Sequence, residues 1–416
     1  MLKINKKYAS ETDTMATRPK RRNLELPKRR ATVGRVLVCG MGYTGQLGLG
    51  SLVLQLNRLS LVNRIPNPVD ICAGGMHSLV LTQSGDIYSF GCNDEGALGR
   101  NTSADGSESL PALVDLPGKA LRISAGDSHS ACLLEDGSVY AWGSFFHSHG
   151  SMGLSNDDNT STPTNLLPGT VCCSIASGSD HLVILTTSGK VYTLGCAEYG
   201  QLGRISERSL PGDGRRGKQD LLRPDQIVIK HAKPFEAIWA TDHGTFIRER
   251  TSQTGTIWAV GLNDSNQLAH ETVSEPDHYN YPVPTKLKNI KQIAGGSEHT
   301  LLLLNNRKCF AVGSPEHGCL GLGDVKDVVS ILTRVKKLSD NIVYVGCGKF
   351  CSYAIDDYGK LYSWGMGSNN QLGVNDGDDE LEPVLVSSKY MQNKKILLAS
   401  GGEKHSLFLV EADPKD

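Results

Sequence analysis

Seven short segments, each ending in glycine, recur along the chain at an almost constant interval. They read GRVLVCG (34–40), GDIYSFG (85–91), GSVYAWG (137–143), GKVYTLG (189–195), GTIWAVG (255–261), RKCFAVG (307–313) and GKLYSWG (359–365). The terminal glycines fall at 40, 91, 143, 195, 261, 313 and 365, so the intervals are 51, 52, 52, 66, 52 and 52 residues. A fixed period of this length marks a repeat architecture, in which each copy is one supersecondary unit stacked on its neighbours. A second element keeps the same beat: AGGMHSLVL (73–81), SAGDSHSACL (124–133), ASGSDHLVIL (176–185), AGGSEHTLLL (294–303) and SGGEKHSLFL (400–409). Two copies are degraded, WATDHGTFI (239–247) and VGCGKFCSYAI (345–355).

Each repeat reads as strand, tight turn, strand. The stretch after the recurrent His is apolar and β-branched. Turns such as QSGD (83–86), EDGS (135–138) and DYGK (357–360) follow, with Gly supplying positive φ. No stretch with helical period is long enough for a helical solenoid. The expected fold is therefore all-β, a seven-bladed β-propeller of about 52-residue repeats. The first strand (34–40) lacks a partner before it, and the last (400–410) lacks one after it. Pairing the two termini in one blade closes the ring and removes exposed edges. The expected domains are a basic, disordered tail over 1–30, a propeller over 31–410 and a short tail over 411–416.

The 416 residues carry a net charge of −1, unevenly spread. Residues 1–30 hold ten Lys or Arg against three acids, so a +7 arm precedes a −8 body. The arm contains RPKRRNLELPKRR (18–30), with Lys20, Arg21 and Arg22 in one cluster and Lys28, Arg29 and Arg30 in another. It reads as a nuclear import signal, a DNA-backbone arm or both, or else as a solubilising tail. Met15 opens MATRPKRR, so the first fourteen residues read as an upstream extension. The eleven cysteines form no CxxC pair, and most sit in apolar runs as small buried hydrophobes. No secretory segment and no 18-residue apolar run occurs. No catalytic triad, phosphate-binding loop or metal-ligand spacing stands out, so neither a cofactor nor a metal is expected. The GxG steps are turn glycines rather than dinucleotide sites, because no helix follows them.

The stretches AGGMHSLVLTQSGDIYSFGCNDEGALGR (73–100), SAGDSHSACLLEDGSVYAWGSF (124–145) and SWGMGSNNQLG (363–373) resemble the regulator-of-chromosome-condensation family, over roughly 31–410. That resemblance implies a guanine-nucleotide exchange factor for the Ran GTPase, acting on chromatin in the nucleus as a monomer, with no covalent chemistry. It implies that one propeller face grips the GTPase and favours its nucleotide-free state. The matching positions are His77, Asp127, Asp180, His299 and His405. A His at one place in five blades reads more readily as a repeated framework residue than as five separate ligands. Asp127 and Asp180, just before the blade His in GDSH and GSDH, read as functional acids.

The resemblance also implies a protruding wedge at SFFHSHGSMG (144–153), carried by Ser144, Phe145, Phe146, His147, Ser148, His149 and Gly150. The other reading is a buried plug. The 66-residue interval contains the basic insertion RISERSLPGDGRRGKQDLLR (204–223). There the resemblance implies contact between Arg215, Arg216 and Arg223 and an acidic histone surface, against a bland reading as a solvated loop.

Four departures from the family pattern stand out. Tyr43 replaces an expected Asp, Phe146 and His147 replace Arg and Asp, and Asn266 replaces a His. The apolar run LVLQLNRLSLV (52–62) stands where a charged surface loop is expected. The chain thus reads as a diverged copy. The alternative function is a nucleosome-binding propeller with weak or no exchange activity. An unrelated scaffold, such as a ubiquitin-ligase or photoreceptor relative, fits poorly with four Trp and no appended catalytic domain.

Overall fold

The computed structural model describes residues 23–154, 161–205, 215–251, 255–270, 277–374 and 377–413. Among them, seven four-stranded antiparallel sheets form the blades of a propeller. Blade 1 runs from the inside outward as Pro68–Ala73, His77–Thr82, Ile87–Gly91 and Ala112–Leu113. Blades 2 to 6 repeat that order, with second strands His129–Leu134, His181–Thr186, Gly244–Glu249, His299–Leu304 and Cys351–Asp356. Blade 7 joins the termini. Ile396–Gly401 and His405–Glu411 form its inner half, and Gly34–Met41 and Gln55–Val62 its outer half. The closing register runs from Gly34 opposite Glu411 to Gly40 opposite His405.

The glycines that set the period explain its strictness. Gly40, Gly91, Gly143, Gly195, Gly261, Gly313 and Gly365 stand at the last or next-to-last position of their strands with φ between +92° and +122°. An L side chain there is strained. Each second strand is sandwiched between blades, so it is buried on both faces along most of its length and apolar in its middle, as in HSLVLT (77–82). The core lies between blades rather than on the axis. Leu79, Leu81 and Ile87 of blade 1, for example, pack on Cys132, Leu134 and Trp142 of blade 2.

Three expectations change. The run 52–62 is not a surface loop. Gln55–Val62 is the outer strand of blade 7, where Leu59 and Val62 are buried while Leu52, before it, is 94% exposed. The insertion contains a helix, Arg215–Leu222, anchored by buried Leu221 and Leu222. The basic arm is docked at its end. The Leu24 N–H donates to the Thr187 carbonyl at 2.7 Å, and Leu24 and Leu26 pack under blade 3. All eleven cysteines lie among the described residues as free thiols, and burial pushes each above its ordinary pKa.

Candidate functional site

The loops between first and second strands converge around the central channel, a cavity of about 220 Å³ lined by all seven blades. Inter-blade backbone hydrogen bonds rim it. Asp127 N–H donates to the Ser179 carbonyl at 2.8 Å, Ser179 N–H to that of Asp242 at 2.9 Å, and Lys349 N–H to that of Gly402 at 3.2 Å. Between blades 4 and 5 a side chain does this work, with the Ser297 hydroxyl donating to Asp242 at 2.7 Å. The rim thus holds charged side chains on a fixed backbone.

The residue two places before the blade His position is Asp127, Asp242, Lys349 and Glu403 in blades 2, 4, 6 and 7. Lys349 Nζ lies 3.4 Å from Asp127 Oδ2. Burial opposes the charge of Lys349, but Asp127, Asp242 and Glu403 outweigh it and raise its pKa. Asp180, one place further on in blade 3, accepts the Phe146 N–H at 2.8 Å. Burial, then the like charge of Asp127, lifts Asp180 to about 7 against the pull of Phe146 N–H and Lys349. The same two causes lift Asp242 to about 7. Four carboxylates, Asp127, Asp180, Asp242 and Glu403, and one ammonium at one mouth are therefore short of countercharge. Such a site favours a cation and disfavours a phosphate.

The segment between the third and fourth strands of blade 2 forms a hairpin, Phe145–His147 against Gly150–Gly153. It rises on the same face, because it follows a third strand whose end pairs with the start of the second, His129 opposite Gly143. The segment divides into a buried base and an exposed tip. Ser144 and Phe145 are buried, with the Phe145 ring tilted against that of His129, centroids 4.5 Å apart, in a cluster with Met152, Leu154 and Leu222. Phe146, His147 and Gly150 are half-buried, and Ser148 and His149 are exposed at the tip. Glu198 of blade 3 accepts the Ser148 N–H at 3.0 Å and its hydroxyl as well.

The structure removes His77, His299 and His405 from the face. All are at most 1% exposed. Their Nε2 atoms reach across to the next blade, to Ser130 at 2.8 Å, Ser352 at 2.9 Å and Ser78 at 2.9 Å. Burial drives them down to about 4, 4 and 3, so they are neutral pins between sheets. The Gly of each G-x-x-H motif fits beneath this ring. A Cβ on Gly74 would lie 2.2 Å from His77 Cε1. His129 lacks such a partner because Leu182 stands where other blades have a hydroxyl, and neither ring nitrogen is hydrogen-bonded.

The basic candidates divide similarly. Lys20, Arg21 and Arg22 lie outside the described residues. Lys28 is exposed. Arg29 is consumed by the propeller. It donates to the carbonyls of Ala120 at 2.8 Å and Gln83 at 2.9 Å and pairs with Glu135 at 2.7 Å. Arg30 lies 3.4 Å from Asp70. These contacts are at the hairpin turns, on the face opposite the acidic mouth. Arg223 is exposed, with Asp225 4.0 Å away, and Arg215 and Arg216 occupy the first turn of the insertion helix. Arg204 is instead a clamp, donating to the carbonyls of Thr193, Asp220 and Arg223.

Comparison with known proteins decides the lineage. The RCC1-like domain matches residues 35–408. The chain belongs to the regulator-of-chromosome-condensation family. It is 65% identical to the Regulator of chromosome condensation of Drosophila melanogaster, over 99% of this chain and 76% of that one. Identity to the mouse protein of that name is 39%, covering 91% of each. Among solved structures, Prp20p of Saccharomyces cerevisiae superposes with a TM-score of 0.84 at 25% identity, covering 94% of both chains. That structure was described together with the binding of Prp20p to Gsp1p and histones.

Sequence reasoning missed Asp242, Lys349 and Glu198. The first two lie in the degraded repeat copies, whose lost His drew attention away from a charge two places earlier.

Proposed function

We propose that this chain is a guanine-nucleotide exchange factor for the Ran GTPase, acting on chromatin in the nucleus through the acidic mouth and the adjoining hairpin. The observation that carries this reading is the hydrogen bond from Phe146 N–H to Asp180. It ties the hairpin to the carboxylate cluster, so a projecting element and an under-compensated negative field form one rigid surface. No bond is made or broken in the reaction. Asp127, Asp180 and Asp242 repel the phosphates and compete for the cations that hold them, in particular the Lys of the phosphate loop. The hairpin occupies space the nucleotide-binding loops need. Both effects favour the nucleotide-free state over the loaded one, and only that difference speeds release. Because the hairpin is already ordered, docking costs less entropy.

The chromatin part of the reading rests on Arg216, Arg223 and the basic arm. The histone binding described for Prp20p supports it. Guanidinium groups suit carboxylates of an acidic histone surface through bidentate pairing. A second reading, a nucleosome-binding propeller without exchange activity, is favoured by Tyr43, whose ring is 63% exposed where the family resemblance expects an acid.

Release of fluorescent GDP from Ran separates the two. The proposal expects catalytic amounts of the chain to accelerate release strongly. Spontaneous rates at micromolar chain, with nucleosome binding intact, would leave only the second reading.

A further inference from the structure

The tip of the hairpin brings together a donor set whose capacity to hold an ion neither the repeat nor the exchange reading uses. His147 and His149 come from the tip and Glu198 from the next blade. One nitrogen or oxygen donor from each lies within 4.8 Å of the others. The two imidazoles stand edge to face, with centroids 5.4 Å apart at 82°. Both rings are held by hydrogen bonds that fix their protons. His147 Nδ1 accepts the His149 N–H at 2.9 Å, which leaves its proton on Nε2, so an ion takes this imidazole at Nδ1 by displacing the His149 N–H. The Ser148 hydroxyl donates to Glu198, so it can only accept from His149 Nδ1, 3.1 Å away. That leaves the His149 Nε2 lone pair for a ligand. A histidine whose other ring nitrogen donates to a fixed oxygen is the usual arrangement around a bound metal.

We propose that His147, His149 and Glu198 bind one divalent ion of the zinc class, with a fourth coordination position open. Two imidazoles and one carboxylate are the donor set of open zinc sites, and imidazole nitrogens select against Mg²⁺ and Ca²⁺. Donors 2.0–2.2 Å from a tetrahedral ion stand about 3.3 Å apart. The three groups therefore draw in by roughly 1.5 Å at most, which side-chain rotation at a half-exposed tip supplies. The ion fastens the hairpin tip to blade 3. Its open position faces the same side as the acidic mouth and accepts water or a carboxylate, imidazole or thiolate of a docked protein. The spacing in sequence conceals the site, because Glu198 lies one repeat beyond the His pair. The proposal depends on these donors alone and stands whether or not the chain exchanges nucleotide.

The test titrates the untagged full-length chain with Co²⁺ and then Zn²⁺. Expected are one equivalent of Co²⁺ with ligand-field absorption, no thiolate-to-cobalt charge transfer, and displacement by Zn²⁺. His147→Ala plus His149→Ala, and Glu198→Gln, should each weaken binding by at least the 10–100-fold that loss of even an outer-shell partner costs. All three residues lie at the surface, so the metal-free thermal midpoints should match the parent, and circular dichroism checks that the variants fold. No bound equivalent, binding that survives the double His variant, or a thiolate charge-transfer band would each overturn the proposal.

Discussion

Asp180→Asn should make the propeller more stable at pH 8, although it disables the proposed site. In the folded chain burial and Asp127 lift the Asp180 carboxyl from 3.8 to about 7. The unfolded chain has released this proton by about pH 4, whereas the folded chain keeps it until about 7. The folded state therefore binds more protons in that window, and stability falls as pH rises through it. At about 1.4 kcal/mol per pH unit, the full rise corresponds to roughly 4 kcal/mol. Water reaching the partly exposed carboxylate screens much of this, leaving on the order of 2 kcal/mol. Asn keeps an oxygen for the Phe146 N–H, so the hairpin anchor survives the change. The assay is the urea-unfolding midpoint of parent and variant between pH 4 and 8. The gain should be largest at pH 8 and vanish near pH 4. A variant no more stable than the parent at pH 8 would refute the reasoning, because Asp180 would then carry no stored electrostatic strain.

Phe145→Ala removes the buried ring at the base of the hairpin and should cost about 3–5 kcal/mol, read from chemical denaturation. Faster hydrogen exchange over 145–153 should accompany it. Arg29→Ala should destabilise the chain by about 1–3 kcal/mol without changing the salt dependence of DNA binding, since its donors face carbonyls and Glu135. Lys28→Ala should do the reverse, lowering the slope of log affinity against log salt by about 1 in an anisotropy titration.

The fold was legible because one backbone demand, a positive φ at the end of each third strand, forces Gly at a fixed interval. The closed seventh blade followed from the same count. Asp127 and Asp180 were legible as acids set beside a framework His. The histidines themselves were ambiguous, since a letter recurring on the beat looks the same in a site and in a ladder. The resolving signal was present: Ser or Thr follows the blade position at 78, 130, 245, 300, 352 and 406. Those hydroxyls are what His77, His181, His299 and His405 reach in the next blade. Arg29 was not legible, because a basic residue spaced for phosphate is equally spaced for carbonyls when the chain folds back. Glu198 was hidden for the same reason: its partners come from another blade.

The most direct measurement of the central claim is the rate of GDP release from Ran at fixed chain concentration, comparing the parent, Asp127→Asn plus Asp180→Asn, and Arg29→Ala on the opposite face. The account predicts that the aspartate pair loses most of the acceleration while remaining folded, and that Arg29→Ala matches the parent once corrected for its folded fraction. Parent-like release by the aspartate pair would contradict it, and the acidic mouth would then not be where the nucleotide is expelled.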